Sequence, residues 1–419
     1  MAAGELVETE RTALARRDPR RPYTRRLSPV ERVWLVADAM EPPFAPVFVL
    51  EGEGALDPVA FERAVELAAA VNPGVAVVLR GWVGWTRWVG TGPAPRVRSA
   101  DGSGWDGRGP GGAPWLAEPM DPRRGPVLDF TLLSGPTPRV LVRMHHSAMD
   151  GRGLFVFLDD LFSALRGEAL VGSPSEVTDL ELARRLAPAK NPRRVEDCLA
   201  PTGERSGAET SSTWRRLSVP GRFSRILPTV LCCLAREARR HATGEVRIGV
   251  PVDLRARADA DRSTANLTGI VDLEVPEGAT PDSVQATLDA ALASHRAAAF
   301  VLEAEFILGV PLWLATAVAR ASTRRVCRKN RYDSSGTVSN LGRVPIERFS
   351  GGGFRTKTAF FIPPGTPSHA CFIILCGHEQ GIEAVVTMPG DLASDDRLDA
   401  LMVRLNDALV AASSVPRLS

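Results

Sequence analysis

The residues best suited to chemistry in this chain lie together in one stretch, His145-His146-Ser147-Ala148-Met149-Asp150-Gly151. An imidazole exchanges a proton near neutral pH, so one histidine of the pair fits general base work. A carboxylate at Asp150 can orient an imidazole, or pair with a distant cation and brace the turn. Gly151 suits a place that needs a positive φ or a close backbone approach. Taken alone, the residues fit a packed core pair or a metal site as well. Zinc takes about three or four ligands. The other four histidines, His241, His295, His369 and His378, are scattered without ligand spacing, and no Cys-x-x-Cys occurs. The sequence therefore predicts no metal and no bound cofactor.

The flanking residues say how this stretch is held. Arg139 to Met144 runs apolar like a buried strand, and Gly151 and Gly153 break it. Beyond them Leu154, Leu158, Leu161, Phe162 and Leu165 recur at helical spacing. The histidines thus sit on a strand-to-helix turn, where reactive groups are often presented. Strand side chains alternate faces, so one histidine should look outward and its neighbour should pack inward.

These seven positions match the HHxxxDG signature and resemble the acyltransferase superfamily with the chloramphenicol acetyltransferase fold. That group includes nonribosomal peptide condensation domains, polyketide-associated acyltransferases and wax ester synthases. Further stretches follow in the family's order. Pro251-Val252-Asp253-Leu254-Arg255 resembles a segment whose arginine crosses the domain boundary to the motif aspartate. The loop Arg262 to Gly269, with Asn266, resembles an asparagine-bearing loop. Val338-Ser339-Asn340-Leu341-Gly342-Arg343 resembles the S-N-x-G strand. The plant-branch motif DFGWG is absent.

The resemblance implies an α/β protein of two similar lobes, each a mixed sheet flanked by helices, with an active-site tunnel between them. It makes His146 the general base, and His145, Asp150 and Gly151 structural, with Arg255 paired to Asp150. Ser339 or Asn340 would serve the oxyanion or hold substrate. The donor would be an acyl thioester of coenzyme A or of a phosphopantetheinyl carrier protein, and the acceptor an alcohol or amine. Ester and amide products both stay open. The other reading is a degenerate relative that docks a carrier protein or shapes a product without transferring an acyl group.

A chain of 419 residues exceeds one ordinary core. We expect a flexible tail over 1–26, an N-terminal lobe over 27–170, a connector over 171–213 and a C-terminal lobe over 214–419. With 44% hydrophobic and 24% charged residues the composition is globular, and a net charge of +2 argues for neither nucleic acid nor a membrane, so no nucleic acid partner is expected. The N-terminus lacks the apolar core of a signal peptide. The uncharged run Phe306 to Ala319 is too short to span a bilayer. The six cysteines form no disulfide framework. Together these predict a soluble, cytoplasmic monomer. Two features have no assigned place. Arg324, Arg325, Arg328 and Lys329 read as a solvated helix end, or as a dock for coenzyme A phosphates or a carrier protein. Trp82, Trp85 and Trp88, three apart, read as sheet-face packing or as pocket aromatics.

Overall fold

The computed structural model describes residues 22–191, 197–207, 211–258, 260, 262–365 and 369–414. The first half of the chain forms β1 (Thr24–Arg26), α1 (Pro29–Met40), β2 (Val47–Gly54), α2 (Pro58–Val71), β3 (Val78–Arg80), β4 (Arg87–Val89), β5 (Arg96–Asp101), β6 (Leu128–Ser134), β7 (Arg139–Met144), α3 (Gly151–Leu165) and α4 (Asp179–Leu186). The second half continues with β8 (Ser212–Pro220), β9 (Arg222–Phe223), α5 (Ile226–His241), β10 (Arg247–Asp253), β11 (Thr268–Glu274), α6 (Pro281–Ala293), α7 (Arg296–Glu303), α8 (Leu312–Lys329), β12 (Gly336–Arg343) and β13 (Phe354–Ile362). It closes with β14 (Phe372–His378), β15 (Gly381–Pro389), α9 (Gly390–Ala393), α10 (Arg397–Ala412) and β16 (Ser413–Ser414).

The caps explain where the helices begin. Ser28 accepts from the Glu31 amide while the Glu31 side chain reaches back, with Pro29 in the first turn. Asp57 caps α2 by accepting from the Val59 and Ala60 amides, and Asp150 caps α3 by accepting from the Gly153 amide. Two mixed sheets carry these helices. One has five strands in the order β13-β2-β7-β6-β5, and the other has six in the order β11-β10-β12-β14-β15-β8. Helices α2 and α3 cover the first with Phe61, Leu154, Leu158 and Phe162 against Phe130 and Val142. Helices α5, α7 and α10 cover the second with Val230, Leu234, Ala298 and Leu405 against Ile248, Leu375 and Val386.

Strand β13 departs from the expected division of lobes. It comes from the second half, yet pairs antiparallel with β2 from Phe354↔Gly54 to Ile362↔Val47 and completes the first half's sheet. Its inward Ala359 and Phe361 join the first core, while Phe360 and Ile362 pack with Trp105 and Trp214 at the seam. The expected tail also needs correction. Residues 1–21 lie outside the described residues, but Thr24–Arg26 pairs with β4, and Arg25 is buried against Glu31 at 2.5 Å. The connector holds α4, and its residues 192–196 and 208–210 lie outside the described residues. The Gly- and Pro-rich stretch read as loop contains β5, which pairs parallel to β6. The alanine-rich stretch 281–303 forms two helices, α6 and α7, with His295 between them at φ 53°. Trp88 is buried and donates to Glu31, whereas Trp82 and Trp85 are exposed, Trp85 at the rim of a cleft that it shares with Glu305 and Leu308. The six cysteines form no disulfide with one another, and among the described residues no helix is long and apolar enough to cross a membrane.

Candidate active site

The turn after β7 separates the two histidines as strand alternation requires. His145 is buried, with Nδ1 2.7 Å from Ser147 Oγ and Nε2 3.5 Å from Asp38, and it does not line the cavity. His146 does line it. Its ring is stacked on Trp34 of α1, centroids 5.0 Å apart and planes 5° apart, with Phe44 at 5.7 Å. Burial pushes the imidazole down to about 4, only partly opposed by the Met149 carbonyl and Asp150. The ring is therefore neutral at physiological pH. His146 Nδ1 lies 3.2 Å from Met149 O, a group that can only accept, so Nδ1 carries the proton. Nε2 is left with its lone pair for the cavity.

The turn is fixed from the other half of the chain. Arg255, after β10, grips Asp150 with two bonds of 3.0 Å, Nη1 to Oδ2 and Nη2 to Oδ1. The Asp150 carboxylate also accepts from Gly153 N–H, Leu267 N–H and the Thr268 hydroxyl. Burial alone would raise this carboxyl, but the guanidinium and the amides outweigh it and hold the group below the usual range. Asn266 donates to the His146 carbonyl at 2.8 Å, so the same loop holds the histidine's own backbone.

Gly151 is not what its sequence context suggested. It has no positive φ, and a Cβ there would meet Leu341 at an ordinary 3.4 Å. The close approach belongs to Gly153, whose added Cβ would lie 2.4 Å from the Thr264 carbonyl. Gly151 instead opens α3 at the cavity wall, where the helix N-terminus is electropositive.

The cavity, about 320 Å³, lies between the halves. Trp34, Phe44 and His146 line it from the first, and Val250, Ile270, Leu288, Ser339 and Asn340 from the second. Asn340 Oδ1 accepts from Gly342 N–H at 2.9 Å. A second cavity of about 940 Å³ shares Leu227, Leu288 and Asn340 with the first and carries Arg222, Arg225 and Arg343. The basic run read as a solvated helix end or a donor dock is elsewhere: Arg324, Arg325, Arg328 and Lys329 are exposed on the last turns of α8 and line neither cavity. Among the described residues no group of three or more His, Cys, Asp or Glu is placed to hold a metal ion.

Sequence reading missed Trp34, Phe44, Asp38 and Gly153. The first three belong to α1 and the segment after it, where Trp34 and Asp38 share a helix face at i, i+4. That spacing was visible, but nothing in it pointed to the histidines more than a hundred residues away.

No family model matches the chain, and no curated protein matches it in sequence. Solved structures do resemble it. The starter condensation domain of rhizomide synthetase, in complex with C8-CoA and Leu-SNAC, aligns over 95% of this chain and 98% of its own, with a TM-score of 0.63 and 15% identity. The condensation domain of the Monacolin K polyketide synthase aligns over 93% and 98%, with a TM-score of 0.62 and 12% identity. The epimerization domain from the third module of tyrocidine synthetase B aligns over 93% and 97%, with a TM-score of 0.60 and 14% identity. At these identities the likeness concerns the fold. The chain has the two-lobe, chloramphenicol-acetyltransferase-like architecture of condensation domains.

Proposed function

We propose that a chain with this fold and this site is a condensation-type acyltransferase. It would move an acyl group from a thioester of coenzyme A or of a phosphopantetheinyl carrier protein to an alcohol or amine, in natural-product or lipid biosynthesis. One observation carries the reading. His146 stands neutral in the cavity between the halves, with Met149 O fixing the tautomer that leaves Nε2 as a base.

The residues divide the work as follows. Nε2 of His146 takes the proton of the acceptor O–H or N–H as that atom attacks the thioester carbonyl. Negative charge gathers on the carbonyl oxygen. The N-terminus of α3 at Gly151, the Ser339 hydroxyl and the Asn340 amide face the same chamber and are the candidates to stabilise it. The C–S bond then breaks, and the imidazolium returns its proton to the leaving thiolate. An imidazole with so depressed a proton affinity is a weak base but a good acid, which favours this last transfer. Trp34 and Phe44 hold the ring's plane, and the Asp150–Arg255 pair holds its turn. Arg225 and Arg343 at the second cavity, paired with the carboxylates of Asp282 and Glu379, would exchange those partners for the phosphate-bearing arm of the donor.

The test offers one acyl group on coenzyme A and on a carrier protein, with and without an acceptor, and reads free thiol. We expect acceptor-dependent thiol release, lowered about 10² to 10⁴-fold in His146→Ala, a typical value of general base catalysis. Turnover retained by that variant removes the base role. Donor binding without thiol release across acceptors supports instead the degenerate reading, in which the protein only docks a carrier. The epimerization domain that shares the fold makes this measurement necessary.

A further inference from the structure

Two sequence features stand outside the site: the tryptophans Trp82 and Trp85, and the basic run that closes α8. The structure brings them to one face. The β3–β4 tip rests on the turn before α8 through Gly84 N–H, which donates to Leu308 O at 3.1 Å. Phe306 belongs to that turn, and Trp313 belongs to the first turn of α8. Trp82, Trp85, Phe306 and Trp313 are 78%, 74%, 74% and 72% exposed, although each is large and apolar. Helix α8 buries only Thr316 and Val326 of its 18 residues. At about 100° per residue, Trp313, Leu314 and Val318 fall on the same half of the helix as the later arginines and Lys329.

The charges of α8 have one sign. Helix α8 contains no acidic residue. The nearest carboxylate in the preceding turn, Glu305, is already paired with Arg184 at 2.5 Å. Arg320 of the helix donates to Ala39 O, and Arg32 donates to Val310 O in the turn before it, both at 2.7 Å. Exposed aromatics gathered in one patch are uncommon on a soluble surface and mark a contact site. Indoles favour the boundary between water and lipid, and cations beside them favour anionic headgroups.

We propose that this face binds the surface of an anionic lipid bilayer. Its aromatic residues seat at headgroup level, and the basic end of α8 lies over the phosphates. The inference does not depend on acyl transfer. A bilayer fits better than a protein partner because the rings stand out at a hairpin tip, a turn and a helix start, and the cleft beside Trp85 is walled by charged side chains of both signs, among them Arg26, Arg32, Glu181 and Glu305.

The test is flotation of the full chain with vesicles of phosphatidylglycerol and phosphatidylcholine, against phosphatidylcholine alone. We expect binding to the anionic vesicles that weakens as salt rises. The variant Trp82→Ser/Trp85→Ser/Trp313→Ser should lose at least about tenfold in partitioning. The variant Arg324→Gln/Arg325→Gln/Arg328→Gln should lose on the order of tenfold and much of the salt dependence. Unchanged melting temperatures confirm that both remain folded, since all six side chains are exposed. His146→Ala should float like the parent, which separates this inference from the proposed chemistry. A parent chain that ignores anionic vesicles at low salt overturns the proposal. So does an aromatic variant that floats as well as the parent, or a patch that proves to join two copies of the chain instead.

Discussion

His146 gains its chemistry from what surrounds it rather than from the pair it belongs to. Its neighbour His145 is fully buried beside Ser147 and Asp38 and stays out of the cavity. Burial lowers His146 from an ordinary value of about 6.5 to about 4. The folded state therefore binds fewer protons at this site than the unfolded chain between those two values. Its contribution to stability is present above the upper one and is lost as pH falls toward the lower. With an alcohol acceptor, kcat/KM should hold through neutral pH and fall only as pH approaches about 4. A limb near pH 6.5 would mean that the catalytic imidazole is solvated, and would place the base elsewhere.

At the scale of elements, the strand-turn-helix that carries the motif was legible in the sequence. The apolar run to Met144, the break at Gly151 and the leucine spacing beyond it match β7 and α3. Ser28 and Asp57, each a capping residue followed by proline, stand directly before α1 and α2, a pattern visible in the sequence. Tertiary packing was not legible. Nothing local distinguishes Gly151 from Gly153, because the obstacle at the second is Thr264, a residue from a distant loop. The two glycines should therefore answer differently to the same change. Alanine gains about 1 kcal/mol over glycine in a helix interior, so Gly151→Ala should leave the melting temperature level or raise it. Gly153→Ala should lower it, and should lower turnover too, because the loop it displaces carries Asn266, which holds the His146 carbonyl. Equal melting temperatures for the two variants would show that the loop gives way freely. β5 escaped the sequence reading for a related reason: its edge position leaves it half exposed, in a stretch that breakers dominate.

At the scale of the whole molecule, a chain of buried charges ties the halves together. Arg216 of β8 pairs with Glu51 of β2 and Glu383 of β15, each at 2.7 Å, and lies 3.8 Å above the Phe360 ring. Arg139 joins from β7 at 2.8 Å, and Ser218 and Thr358 also donate to Glu383. Removing one member of such a network strands its partners. Arg216→Met should cost about 3–5 kcal/mol in urea unfolding, while the combined Glu51→Gln/Arg216→Met/Glu383→Gln change should recover a large part of it. A triple variant no more stable than the single one would show that the charges hold the seam by more than mutual compensation. No sequence pattern announces this network, since Arg216 stands 165 residues from Glu51 and 167 from Glu383, on strands whose alternation shows only that they are half-buried.

The excursion of β13 into the first sheet has a consequence for biogenesis. While the protein is being made, the first 200 residues emerge with β2 lacking its outer neighbour, a row of backbone groups open to water and to other chains. That edge closes only after residue 362 has left the ribosome. Contacts this distant in sequence form late. The first lobe is therefore expected to be a poor stand-alone fragment, prone to self-association until the strand is supplied in trans as a peptide spanning 354–362.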